Sequence, residues 1–168
     1  MNAGSADIRR ILADEVEAFR RIRLEALHNE PSSFASSYDD WVSLSTDEWK
    51  QRLRDPVFIA FQGSEPVGIV GLRPQRARKM AHRATIIMVY VRNDQRGSGL
   101  AHKLLHAVAD HARGMGISQL ELAVSGDNIP AIRFYSREGF LEVGRIPCGF
   151  IHDGKEIDDV LMMCRLPV

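Results

Sequence analysis

Apolar and polar positions follow two rhythms along this chain, and the switches between them mark its elements. Ile8, Ile11 and Leu12 mark a short first strand over 7–12. Over 14–29 the rhythm is helical. Val16, Phe19, Ala26 and Leu27 form one stripe, Asp14 caps the start and Pro31 closes the segment. The stretch 32–45 is rich in Ser and Asp, with Phe34, Tyr38 and Trp41 interleaved, and reads as a loop or short helix. Thr46 then caps a helix over 47–54 that stops at Pro56. Two strands, 57–62 and 67–72, flank Gly63-Ser64-Glu65-Pro66, a hairpin signal. Residues 84–91 form the long central strand. Beyond it Leu100, Ala101, Leu104, Leu105, Val108, Ala109 and Ala112 recur at helical spacing, and Gly114 and Gly116 close that helix. A strand over 119–124 breaks at Ser125-Gly126-Asp127-Asn128. A helix with Pro130 in its first turn runs to about 138 and ends at Gly139. Two strands, 140–151 and 156–166, turn at Asp153-Gly154. The order β-α-α-β-β-β-α-β-α-β-β predicts an α/β chain with a mixed sheet and helices on both faces.

Composition narrows the class. The 168 residues suit one domain, 1–168, and 45% apolar residues can fill a core. Lys plus Arg and Asp plus Glu both number 22, for a formal net charge of +0. Bulk charge therefore points to no nucleic acid and no membrane surface. No apolar run reaches the roughly 18 residues of a membrane span. Residues 1–6 are too short and polar to read as a signal peptide. Cys148 and Cys164 lack metal-ligand spacing and read as buried strand residues, and a reduced cytoplasmic setting is the simplest fit. No metal is expected. The apolar Val160-Leu161-Met162-Met163 suggests a last strand that pairs across a homodimer.

The chemistry begins where the central strand meets Arg96-Gly97-Ser98-Gly99-Leu100-Ala101. A strand that feeds a glycine turn and then a helix is built to hold phosphate. The helix start offers unpaired N–H groups and a positive dipole end, and glycine lets the backbone approach an anion. No Walker-type G-x-x-x-x-G-K-[ST] is present. Gly97-x-Gly99 lacks the third glycine of a dinucleotide fingerprint, because His102 stands there. The pattern that fits is [QR]-x-x-G-x-[GA], filled by Arg96, Gly99 and Ala101.

That loop resembles the acetyl-CoA pyrophosphate loop of the GNAT (GCN5-related) N-acetyltransferase superfamily. A second stretch, Asn128 to Phe140, reads N-x-x-A-x-x-F-Y-x-R-x-G-F and is similar to the helix after the fifth strand in that superfamily. Both motifs stand in the right order, and the likeness extends to the order of strands and helices. Arg23-Leu24-Glu25-Ala26-Leu27, with Pro31 and Phe34, also resembles small bacterial members. The resemblance implies a mixed, mostly antiparallel sheet of six to seven strands that splays between the fourth and fifth. It implies acetyl-CoA as co-substrate. The amides of Arg96, Gly97, Ser98, Gly99, Leu100 and Ala101 would hold the pyrophosphate. Val89, Tyr90 and Val91 would pair with the pantetheine arm like an added strand, Asn128 would bond to it, and Tyr135 would lie near the thioester sulfur as general acid.

The implied reaction is attack of a primary amine on the thioester carbonyl. A free alkylamine, with a pKa of about 10.4, is mostly protonated at neutral pH, so its proton needs a destination. The central strand carries no carboxylate. A bound water, His82, Asp39 and Asp40 are the candidates. An N–H at the splay, such as that of Val89, would stabilise the carbonyl oxygen. For the acceptor, Phe34 and Tyr38 suggest an aromatic pocket wall, or loop anchors. Arg23 falls inside an apolar stripe and needs a partner, either a structural ion pair or a place on the substrate cleft. The basic run Arg73–Arg83 reads as a solvated loop. The expected acceptor is a small-molecule amine. A protein N-terminus or lysine is the alternative, and a non-catalytic CoA-binding domain the third reading.

Overall fold

The computed structural model describes residues 5–167, so the first four positions of the polar start lie outside it. The elements in chain order are β1 (Asp7–Arg10), α1 (Val16–Asn29), α2 (Tyr38–Val42), α3 (Thr46–Arg52), β2 (Val57–Gln62), β3 (Glu65–Pro74), β4 (Arg83–Val91), α4 (Leu100–Gly114), β5 (Gln119–Ser125), α5 (Ile129–Arg137), β6 (Leu141–His152) and β7 (Lys155–Arg165). They match the expected order, with α2 as the short helix in the Ser- and Asp-rich stretch. Seven strands form one sheet in the order β1-β2-β3-β4-β5-β7-β6. All neighbours are antiparallel except β4 and β5.

Strand alternation supplies two cores. On β2, Phe58 and Ala60 face α4, while Val57, Ile59 and Phe61 face α1 and α3. The helices answer with their own stripes. Val16, Phe19, Ile22, Ala26 and Trp49 lie on one side of the sheet, and Leu100, Leu104, Leu105, Val108 and Ala112 on the other. Gly68 lets α4 lie close on β3, since a Cβ there would sit 2.8 Å from Leu104 Cδ1.

Two irregularities open the sheet. Gly71 pairs with Ile87 and Ile69 with Tyr90, so Met88 and Val89 together oppose Val70. This β-bulge holds Met88 at φ 57. It also inverts the alternation: Ala84 and Ile86 face the α4 core, but Tyr90 faces α1 and Val91 returns to the α4 side. Second, β4 and β5 pair only over 83–85 and 119–121, although both strands run on. The expected splay between the fourth and fifth strands is therefore present. An ion pair between Arg83 and Glu121 closes the paired end.

Four expectations are corrected. Asp14 does not cap α1, because it falls inside a short 3-10 turn, Ala13–Glu15, that precedes the helix. Ser45, not Thr46, caps α3, in a capping box with Glu48. Cys148 is exposed and only Cys164 is half-buried, because β6 is an edge strand and bulges between Ile146 and Phe150. The last strand offers no free edge for a dimer, because β7 lies between β5 and β6 and is paired on both sides.

Candidate active site

The splay opens into a cleft of about 1290 Å³. One end is the glycine loop. Gly97 and Gly99 have φ of 76° and 81°, which only glycine takes without strain, and open space lies where a Cβ would be. Arg96 N–H bonds to Asn93 and Lys103 N–H bonds to Gly99, but among the described residues no backbone acceptor takes the amides of 97–102. Those amides and the start of α4 make an anion nest. Arg96 itself is held by the Val91 carbonyl and by Glu30. Ser98 turns its hydroxyl to the Gln95 carbonyl, 2.5 Å away, and Leu100 is buried as the first core residue of α4.

The middle of the cleft lies between β4 and α5. Val89, Tyr90 and Val91 line one wall, and Asn128, Ala131, Phe134 and Tyr135 the other. Asn128 accepts a bond from Ala131 N–H at 3.3 Å and so starts α5. Tyr135 packs against Phe134 and Phe140, with ring centres 5.3 and 5.7 Å away. Burial pushes its phenol well above the usual tyrosine range, so it stays protonated. Tyr90 points the other way, and its hydroxyl meets Glu25 and Asn29 on α1.

The far end holds Arg23, Phe34, Trp41, Arg52 and Arg73. Arg23 is 4% exposed. Its guanidinium carbon lies 4.8 Å from the Phe34 ring centre and 4.6 Å from that of Trp41, and Arg52 covers Trp41 at 4.8 Å. The ion pair considered for Arg23 is absent among the described residues, because aromatic rings take the space a carboxylate would need. Burial lowers its pKa to about 10, so it remains a cation at neutral pH. Phe34 is on the cleft wall as expected. Tyr38 is exposed, points edge-on at His28 with ring centres 6.1 Å apart, and does not line the cleft. Trp41 stands in its place. Arg52 and Arg73 had no distinguishing signal, since each reads as an ordinary charge at the end of an element.

Among the described residues each carboxylate on the cleft wall has a partner. Glu30 pairs with Arg96, Asp40 accepts from Ser37 N–H at 2.7 Å, and Asp55 pairs with Arg76 at 3.4 Å. The Ser37 bonds hold the Asp40 carboxyl below its usual range. His82 and Asp39 are exposed and outside the cleft wall. Cys148 is outside it too, and a bond to Glu156 pushes its thiol up, which leaves a poor nucleophile.

Known proteins resemble this chain in sequence and fold. The sequence profile of the acetyltransferase (GNAT) family matches residues 17–140. Over 78 residues the chain is 36% identical to an L-methionine sulfoximine/L-methionine sulfone acetyltransferase of Pseudomonas paraeruginosa, a stretch covering 46% of this chain and 45% of that protein. Over 104 residues it is 30% identical to a mycothiol acetyltransferase of Streptomyces bingchenggensis, covering 58% of this chain and 33% of that one. The chain thus spans less than half the length of either relative. Its fold is similar to that of YncA, a putative acetyltransferase from Salmonella typhimurium solved with its cofactor acetyl-CoA. The TM-score is 0.81 at 20% identity, over 98% of this chain and 96% of that one.

Proposed function

The chain belongs to the acetyltransferase (GNAT) family, and from that premise we propose that it moves the acetyl group of acetyl-CoA to the primary amine of a small molecule. The observation that carries this reading is a single cleft that joins the anion nest at 97–102 to Tyr135 and to an aromatic, cationic end. Acetyl-CoA supplies the acetyl group and a thiolate leaving group. The residues fit it. The free amides of Gly97, Ser98, Gly99, Leu100 and Ala101 bind the pyrophosphate beside Arg96, whose own amide is taken by the Asn93 carbonyl and does not join them. Val89, Tyr90 and Val91 present strand edge to the pantetheine amides. Asn128 adds a polar contact from the opposite wall.

The amine nitrogen attacks the thioester carbonyl directly in a ternary complex. The ammonium first loses one proton; a C–N bond then forms, the C–S bond breaks, and the nitrogen sheds a second proton, which the released CoA thiolate balances. Val89 N–H, at the bulge, faces the charge that develops on the carbonyl oxygen. Tyr135 donates a hydrogen bond to the departing sulfur. Its raised pKa makes full transfer to a thiolate of ordinary pKa, about 8.5, uphill. The same dry surroundings raise the thiol as well, which narrows that gap. With Glu30, Asp40 and Asp55 each engaged, the amine's proton passes to water in the open cleft.

A small-molecule acceptor is favoured by the ring-walled far end, and the two relatives above are named for small acceptors. The test is release of free CoA thiol from acetyl-CoA against small amines and short peptides with free N-termini or lysines. Turnover of a small amine supports the reading. Turnover of peptides alone replaces it with a protein acetyltransferase, and CoA binding without turnover of any amine leaves a binding domain.

A further inference from the structure

The acetyl-transfer chemistry gives Arg23 no task, yet among the described residues it leaves two buried nitrogens without a partner. The residue is nearly buried, and its Nε and Nη1 atoms are sealed from solvent with no acceptor. Phe34 and Trp41 attract the cation, but rings accept no ordinary hydrogen bond. The carboxylates on the cleft wall are committed elsewhere, and Arg52 and Arg73 add positive charge at the same end. A buried lysine could shed its proton in such a place, but a guanidinium does not. A desolvated cation without an anion is unfavourable, and an arginine kept for structure is ordinarily paired with a carboxylate or carbonyl. Arg23 nevertheless lines the cleft.

We infer that the acceptor amine carries a carboxylate and that Arg23 binds it. The amine half of this statement rests on the N-acetyltransferase reading, whereas the carboxylate follows from Arg23 alone. A guanidinium matches a carboxylate, and Nη2, the one nitrogen of Arg23 that is not sealed, offers the ligand its first bond from the cleft wall. A neutral amine would leave Arg23 unpaired. A polyamine would bring further positive charge beside Arg23, Arg52 and Arg73. Amino acids and longer amino carboxylates are the class that satisfies both ends of the cleft. Anchoring the carboxylate would also turn the amine toward Val89 and Tyr135.

Matched pairs test this. Glycine, β-alanine, 4-aminobutyrate, L-methionine and L-phenylalanine are each set against the amine that lacks only the carboxylate. Binding is measured by calorimetry with CoA present, and turnover with acetyl-CoA in parallel. At least one acid should bind about 30-fold or more tightly than its partner amine. Arg23→Gln should shrink that gap to a few-fold, with CoA affinity unchanged and a melting temperature equal to or above that of the parent. A purely structural arginine would instead lower the melting temperature and leave the gap. Arg23→Lys, which keeps the charge and loses the fork, should retain part of the gap, and it serves if the glutamine variant does not fold. The inference is overturned if no acid outbinds its partner amine, if the gap survives Arg23→Gln, or if only taurine and 2-aminoethylphosphonate bind. An acid–amine gap in binding without turnover of any amine would remove the acetyl-transfer reading and leave the carboxylate site standing.

Discussion

The Tyr90 hydroxyl donates to Glu25 Oε1 at 3.1 Å, and Arg92 grips both oxygens of the same carboxylate at 2.9 and 2.8 Å. The end of β4 is thus tied to α1, on the wall that the cleft uses. The Arg92 bonds are the largest reason that the Glu25 carboxyl lies below its usual range. A lowered carboxyl adds stability above the ordinary glutamate pKa, about 4.3, and that stability fades as pH falls through the lowered folded value. Glu25→Ala should cost about 1.5–3 kcal/mol at pH 7, the worth of bonds to a charged group. Urea unfolding at pH 7 and pH 3 checks both points. The parent should lose more stability on acidification than the variant, and equal losses would remove Glu25 from this role.

Tyr135 makes ring contacts but no hydrogen bond among the described residues, which leaves its hydroxyl available for the proposed bond to the departing sulfur. Tyr135→Phe should lower kcat by roughly 10²-fold or more, as for loss of a general acid. CoA affinity and melting temperature should stay close to the parent. Because burial raises the phenol, its ionisation should leave no alkaline fall in kcat below about pH 10, the free tyrosine value. A fall centred near pH 8 that vanishes in Tyr135→Phe would contradict the buried, protonated phenol.

Gly99 starts α4 at φ 81, and Gly116 takes φ 80 beyond its other end. Neither has an atom within 4 Å of a built Cβ, so backbone strain is the shared cost. Gly99→Ala and Gly116→Ala should each lose about 1–2 kcal/mol. Only changes at Gly99 should touch the cofactor, and Gly99→Glu should abolish CoA binding by placing a carboxylate in the anion nest. Calorimetric titration with CoA separates the two glycines. Parent-like affinity in Gly99→Glu would place the pyrophosphate elsewhere.

The parts of the site that could be read from the chain are the locally encoded ones. Gly97, Gly99 and the stripe of α4 announce the nest within a few residues, and Asn128 and Tyr135 sit in one helix with a recognisable start. The bulge at Met88 was not readable, because Thr85-Ile86-Ile87-Met88-Val89-Tyr90-Val91 looks like an unbroken buried strand. Its pairing with β3 is what displaces Tyr90 to the α1 side. The choice between Tyr38 and Trp41 was also hidden. The Ser37–Asp40 capping box sets the phase of α2, and Trp41 then turns toward Phe19 and Trp49. For Arg23 the local stripe located the residue, but only tertiary packing showed rings where an ion pair was considered. The dimer edge failed for a related reason, since strand order decides which edges stay free.

Asp40 is the one carboxylate among the base candidates that reaches the cleft wall, and its Oδ2 is engaged. Ser37 N–H donates to it at 2.7 Å, and the Asp40 N–H returns a bond to the Ser37 hydroxyl at 3.2 Å. A carboxylate held below its usual range by such bonds is a weak proton acceptor. If the amine instead loses its proton to water before attack, the neutral fraction of the amine sets the rate. With an amine pKa near 10, kcat/KM should then rise about tenfold per pH unit from pH 6 to pH 8. Asp40→Asn keeps an oxygen for the Ser37 amide and should leave both the slope and the rate at pH 7.5 close to the parent. A parent profile that is flat above pH 6, together with a large loss of rate in Asp40→Asn, would make Asp40 the base and overturn the water route. The slope also separates this mechanism from one in which a group outside the cleft wall, such as His82, carries the proton, because that group would add its own bend to the profile.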